Sequence, residues 1–262
     1  ATLATESVRV GSENNPIDDD VYLKAVADEI DVTADGYVEI ETTATINAWR
    51  RADDADRVAV GDITASSTYY DVEIYSSDAD SITATARSGV YIDSVGYLGA
   101  VAATAGDRVD IDVTGGMGSV DATAGGVVDI DSAGDVGSVD ATAGVNINID
   151  VIDGASAGSI TAVADNDINI NVSDRVDEVN ATAGVDIDID ASDAGTITAD
   201  AGGYLDIDAG SGGIEVVVAT AGEDVDIDSE GDVGSVDATA SDDIYIDVID
   251  GASAGSITAV AD

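Results

Sequence analysis

The chain has 262 residues, 45% hydrophobic but only 4% aromatic, and a formal charge of −47 from 55 acidic and 8 basic residues. A negative field of that size repels nucleic acid and anionic membranes and attracts cations. The absence of Cys and His excludes a disulfide framework, thiol chemistry and the usual catalytic triads, and no apolar run reaches the ~18 residues of a membrane-spanning helix.

The apolar residues are mostly Val, Ile and Ala, enough β-branched material to fill a core despite the charge. There are 29 Gly and a single Pro, Pro16, a balance that suits many tight corners between strands. The lone lysine, Lys24, and the acidity fit a high-salt setting in which counter-ions screen repulsion. The chain begins at Ala1 rather than Met, which fits a signal peptide already removed and an extracellular or cell-surface location.

Residues 1–60 form the irregular part, an N-terminal arm and cap. ATLATESVRV reads as an extended arm and GSENNPIDDD (11–20) as a turn-rich linker. VYLKAVADEIDV (21–32) fits either a short helix or a degenerate repeat, since LKAVAD at 23–28 resembles ITAVAD at 160–165. The repeat is the better reading. VTADGYVEIE, 32–41, reads as a first degenerate rung. Residues 42–57, with Trp49, Arg50, Arg51 and Arg57, break the pattern and are expected to form a cap or projecting loop, because a solenoid end exposes backbone and core.

From residue 61 to 262 the period is plain. The apolar residue opening each unit is Ile63, Ile82, Val101, Val120, Val139, Ile160, Val179, Ile197, Val217, Val236 and then Ile257, at spacings of 18 to 21 residues. A fixed period near twenty is the signature of a solenoid. A longer repeat is laid over it: GDVGSVDATA at 134–143 recurs at 231–240, and VIDGASAGSITAVAD at 151–165 recurs at 248–262. Duplication of a five-rung block accounts for both.

Within each unit apolar and polar residues alternate with period two, the strand signal. In VDATAGVNINIDV, Val139, Ala141 and Ala143 share one face, and Val145, Ile147, Ile149 and Val151 share another. Gly144 sits between the strands, where a corner can call for a positive φ. The chain is therefore expected to be all-β, a parallel β-solenoid or stack of β-arches. Each rung has two strands in about 19 residues, with ten to eleven rungs over 61–262. Columns of Ala (Ala84 to Ala259, Ala86 to Ala261) should face a column of Ile (Ile92 to Ile246), small against large.

In-register stacking also builds polar columns on the second strand. One runs Asp93, Asp112, Asp131, Asp150, Asn171, Asp190, Asp208, Asp228, Asp247; its neighbour runs Tyr91, Asp110, Asp129, Asn148, Asn169, Asp188, Asp206, Asp226, Tyr245. Adjacent carboxylates about 5 Å apart repel by roughly 0.8 kcal/mol per pair in water. High ionic strength, shared protons or bound Ca²⁺ would relieve that load. Asp110, Asp112, Asp129, Asp131, Asp188, Asp190, Asp206, Asp208, Asp226 and Asp228 are the candidate ligands; a solvated polar face without a specific ion is the plainer reading. No EF-hand loop is present, and GGMGSVDA (115–122) approaches a calcium-roll nonapeptide once with its aspartate one place late.

Other chemistry finds less support. Paired carboxylates can hydrolyse glycosides on β-helical folds, but each Asp here belongs to a column and Trp49 is the sole tryptophan. ITATA (82–86) shows one Thr-x-Thr rank suited to ice, but most rungs put Asp, Asn or Val at one of the two outward positions. The chain is read as a non-enzyme. Asn171-Val-Ser and Asn180-Ala-Thr are glycan acceptor sequences in a secreted protein.

Five of the eight basic residues, Arg9, Lys24, Arg50, Arg51 and Arg57, lie in the first 60 residues. They suggest a basic end meeting the acidic body of another copy. At the other end, Ile257, Ala259 and Ala261 belong to a first strand with no second, which offers a β-edge to a partner strand.

VDATAG followed by VDIDID-type segments, across residues 63–262, resembles the repeats of low-complexity envelope proteins, in particular the amyloid-like archaeal cell-sheath protein of filamentous methanogens. The resemblance implies copies joined edge to edge into hoops or tubes around cells. The leading expectation is thus an extracellular structural protein that self-assembles into a filament, sheath or surface layer as a homopolymer. The alternative is a calcium-stabilised adhesin or stalk segment.

Overall fold

The structure, a computed structural model, describes residues 5–11, 16–24, 27–42, 60–249 and 252–261. Every regular element among them is a β-strand, and the strands pair in parallel at rung-length separation, so the fold is the expected β-solenoid. The chain divides into two compact units, Ala1–Gly125 and Gly126–Asp262.

In the first unit, residues 5–42 already build two rungs. Thr5–Val10 pairs with Ala27–Ala34, and Val21–Lys24 with Val38–Thr42. The repeat reading of 21–32 therefore holds over the helical one. Its register differs, because Val21–Lys24 closes one rung and Ala27–Ala34 opens the next. Three further rungs follow: Val60–Ser67 with Val72–Ser76, Ala79–Ala86 with Gly89–Ser94, and Leu98–Ala105 with Arg108–Val113; Met117–Ala124 ends the unit. First strands stack on first strands with Ile30, Ile63, Ile82, Val101 and Val120 in one column. The cap expected at 42–57 lies, apart from Thr42, outside the described residues, and with it Arg50, Arg51 and Arg57.

The second unit continues from Val127–Ser132 through Val136–Ala143, Ile147–Val151 and Ala157–Ala164. Three long strands then each join the second strand of one rung to the first strand of the next: Ile168–Ala183, Ile187–Ala201 and Leu205–Ala221. They arise where the connection shortens from IDGAS to a few residues, and a bulge absorbs the difference, between Val172 and Arg175 and again between Ala191 and Asp193. Val225–Ser229, Val233–Ala240, Ile244–Val248 and Ala254–Ala261 complete it.

The core is the predicted one of large against small. In the second unit Ile149, Ile170, Ile189, Ile207 and Ile227 are buried, as are Ala141, Ala162, Ala181, Ala199, Ala219 and Ala238. Each buried Ile or Val stabilises by ~1.5–3 kcal/mol, and the Ala columns let the two sheets close without voids. The buried polar residues are short hydroxyls at strand ends. Ser132 Oγ donates to the Gly134 carbonyl at 2.8 Å, and Ser229 Oγ does the same to Gly231 at 3.0 Å, so neither is left unsatisfied.

Two local expectations are corrected. Val145 does not share the inward face of Ile147, Ile149 and Val151; it is 37% exposed, because the corner extends to Asn146 and the strand starts only at Ile147. Gly144 does not have a positive φ. Among the described residues the positive values fall elsewhere, at Gly11, Gly116, Asp153, Gly154 and Gly213. What the corner demands of its glycines is close stacking: a Cβ on Gly202 or Gly222 would lie 2.1 or 2.0 Å from the carbonyl oxygen of the glycine one rung before.

Two substitutions probe the two sides of the core. Ile189→Ala is expected to cost ~2–5 kcal/mol by leaving a cavity. Ala199→Leu is expected to cost ~1–3 kcal/mol by overpacking the small column. Denaturant midpoints check both, and a neutral Ala199→Leu would show that the small column is not close-packed.

Candidate functional site

The second strand of each rung projects alternate residues outward, so parallel in-register pairing places chemically alike residues on top of one another. In the second unit Asp131 pairs with Asp150, Asp150 with Asn171, Asn171 with Asp190, Asp190 with Asp208, Asp208 with Asp228 and Asp228 with Asp247. The neighbouring column pairs Asp129 with Asn148, Asn148 with Asn169, Asn169 with Asp188, Asp188 with Asp206, Asp206 with Asp226 and Asp226 with Tyr245. In the first unit Asp112 lies on Asp93 and Asp110 on Tyr91. Arg108 holds Asp110 in an ion pair at 3.0 Å.

The columns of the second unit line a groove of about 500 Å³ whose walls, from Asp129 and Asp131 to Asp188 and Asp190, are only carboxylates and amides. Asn148, Asn169 and Asn171 dilute the charge in the middle of this groove. Beyond it the acids stand unbroken, and their proton affinities follow. Burial, then Asp208, Asp188 and Asp226, push the Asp206 carboxyl up to about 6. Burial is also the first cause, ahead of neighbouring carboxylates, of the raised values of Asp188, Asp208 and Asp226. Among the described residues no three acidic side chains converge in the manner of a metal-ion site. A column of carboxylates at this spacing attracts cations through its summed field.

A second acidic set does a different job. Asp167 Oδ1 accepts the Asp186 amide at 3.4 Å, Asp186 Oδ1 the Tyr204 amide at 2.8 Å, and Asp224 Oδ1 the Asp243 amide at 2.8 Å. Each carboxylate sits just before a second strand and clips the next rung at the same corner. At the other connection Asp135 Oδ1 accepts the Ser156 amide at 2.9 Å, and its duplicate Asp232 the Ser253 amide at 2.7 Å. These bonds hold Asp232 below the usual carboxylate range. The signal was present in sequence, as an Asp or Asn directly before the first buried apolar residue of the strand. It was hidden among so many acids.

Arg175 was also missed. Its guanidinium meets Asp177 at 2.9 Å, Asp193 at 2.6 Å and Glu215 at 3.2 Å, carboxylates of three successive rungs. The expected assembly residues Arg9 and Lys24 are engaged inside the chain: Arg9 with Asp31 at 2.8 Å and Glu29 at 3.7 Å, Lys24 with Glu41. Ile257, Ala259 and Ala261 lie together on the exposed strand Ala254–Ala261. Asn171 stands in the polar column, and the Asn180 amide donates to Glu178 at 2.9 Å. The chain matches no family model, and neither a curated protein nor a solved structure shows significant similarity to it.

A carboxyl raised on folding binds more protons in the native than in the unfolded chain, so its contribution to stability falls as pH rises through the interval from ~4 to ~6. The thermal midpoint at low ionic strength is therefore expected to rise as pH is lowered from 7 to 5. Asp206→Asn should raise it at pH 7 and flatten the profile. A midpoint that falls steadily over this range would show that the ladder is not under electrostatic load.

Proposed function

We propose that the protein is an extracellular, non-catalytic structural element that self-assembles through its β-edges into a filament, sheath or surface layer. The observation that carries this reading is the register of the stack. Val136–Ala143 and Ala157–Ala164 pair in parallel, residue on matching residue, and Val233–Ala240 uses the same register towards Leu205–Ala221 on one side and Ala254–Ala261 on the other. A rung so built accepts another rung of the same kind on either side, and parallel in-register stacking contains no stop of its own. Copies of this chain can supply such rungs, since the recognising surface is the repeat itself. The basic residues Arg9 and Lys24 are not needed for it.

The acid ladder supports a second reading, a calcium-stabilised adhesin or stalk segment. Stacked carboxylates with raised proton affinity gain from any cation that reaches them. In that case chelation alone should lower the thermal midpoint, by more than an equal ionic strength of NaCl restores.

Electron microscopy of the purified chain at neutral pH, with calcium and moderate salt, tests assembly. Filaments, sheets or tubes with a ~4.8 Å meridional repeat are expected. Ile257→Lys, which puts a charge into the column that Val217 and Val236 occupy, should leave dispersed particles. Dispersed wild-type particles would refute the assembly reading.

A further inference from the structure

The first unit holds a groove of about 860 Å³ that brings tyrosine rings and carboxylates together. It runs along one corner of the first three rungs, where the corner residues of Asp18–Tyr22, Asp35–Glu39 and Tyr69–Tyr70 lie one above another. Four of the protein's nine tyrosines line it: Tyr22, Tyr37, Tyr69 and Tyr70. The Tyr22 and Tyr37 ring centroids are 5.7 Å apart and tilted by 48°.

These rings are not there to fill the core. Tyr22 is 68% exposed, Tyr69 54% and Tyr70 58%. The fold does not require a ring at each of these positions: Ser88 and then Asp107 follow Tyr70 in the stack, and Glu39 and Glu73 follow Tyr22 before a ring returns at Tyr91. In a chain built from copies, exposed residues that depart from the copy and gather at one place are unexplained by stacking. The rest of the lining is acidic: Asp18, Asp19, Asp20, Asp35 and Glu39, with no basic side chain among the lining residues. Asp20 is committed to the fold, its Oδ1 accepting the Tyr37 amide at 2.8 Å. Burial and then a hydrogen bond to Glu73 keep the Tyr37 phenol protonated.

We propose that this groove binds an organic cation, a primary ammonium or guanidinium group, gripped between tyrosine faces and carboxylates. Ionised carboxylates only accept hydrogen bonds, so the ligand must donate. Aromatic faces attract cations, more strongly for a weakly hydrated organic head than for a small metal ion. A neutral sugar would stack on the rings but leave five carboxylates without counter-charge. The ladder of the second unit has acids and no rings lining its groove, and so attracts cations without selecting among them.

The test uses the full chain in 150 mM NaCl with millimolar MgCl₂, which occupies unselective acidic sites. Calorimetry is run with spermidine and, separately, with a short lysine- and arginine-rich peptide. One saturable site is expected for at least one probe; which of the two binds assigns the source of the cation. Tyr22→Leu combined with Tyr69→Leu removes two rings and no charge, and should weaken binding about five- to thirtyfold. Tyr22→Phe with Tyr69→Phe keeps the faces and should bind as the wild type does. Because these rings are exposed, the melting profile of every variant should match the wild type. Binding by neither probe, or binding unaffected by loss of the rings, overturns the proposal. So does binding lost equally in the Phe variants, which would place recognition in the hydroxyls.

Discussion

Parallel, in-register pairing obliges each residue to sit on its counterpart one rung away, roughly 4.8 Å off. Whatever a rung contains is thereby multiplied along the stack. Isoleucine on isoleucine and alanine on alanine gain from the arrangement, since like shapes pack at constant spacing. Aspartate on aspartate loses by it. The corner glycines obey the same rule: Gly202 and Gly222 each lie so near the carbonyl of the glycine before that a side chain would collide. Core, ladder and corners are three consequences of one geometry.

The structure offsets the unfavourable part by dividing its acids into those that face water and those that are put to use. Asp167, Asp186, Asp224, Asp135 and Asp232 accept backbone amides of the following rung. Their charge is satisfied by the stack itself. Arg175 neutralises three carboxylates at once. The acids of the two columns keep their repulsion, as at Asp206, which has Asp188 on one side and Asp226 on the other.

Much of this was legible in the sequence because period and alternation are properties of composition along the chain. Ile63 to Val120 fall in one column of the first unit and Val139 to Ile257 in one column of the second, and the Asp pairs have the expected register. What sequence could not give were features set by distances between rungs. Val145 has the right parity to be inward, but the corner consumes it. Gly144 reads as a conformational glycine, whereas the corner position is a packing one. The groove of Tyr22, Tyr37, Tyr69 and Tyr70 draws on residues up to 48 positions apart. It falls in the part of the chain where the repeat is most degenerate and the alignment of rungs least evident. Arg175 looked like one scattered base because its partners lie in later rungs.

Repetition brings a problem of addressing. A strand such as Val233–Ala240 is identical in sequence to Val136–Ala143, so local pairing preferences cannot tell one storey of the stack from another. Singular residues supply the missing labels. Arg175 finds Asp193 and Glu215 only when the intervening coils are counted correctly, and the unequal connections let a chain of near-identical parts keep its place. Under the proposed assembly the same indexing would be lost at a junction between copies: sliding by a whole storey would change little, and length would become a matter of growth rather than of encoded number.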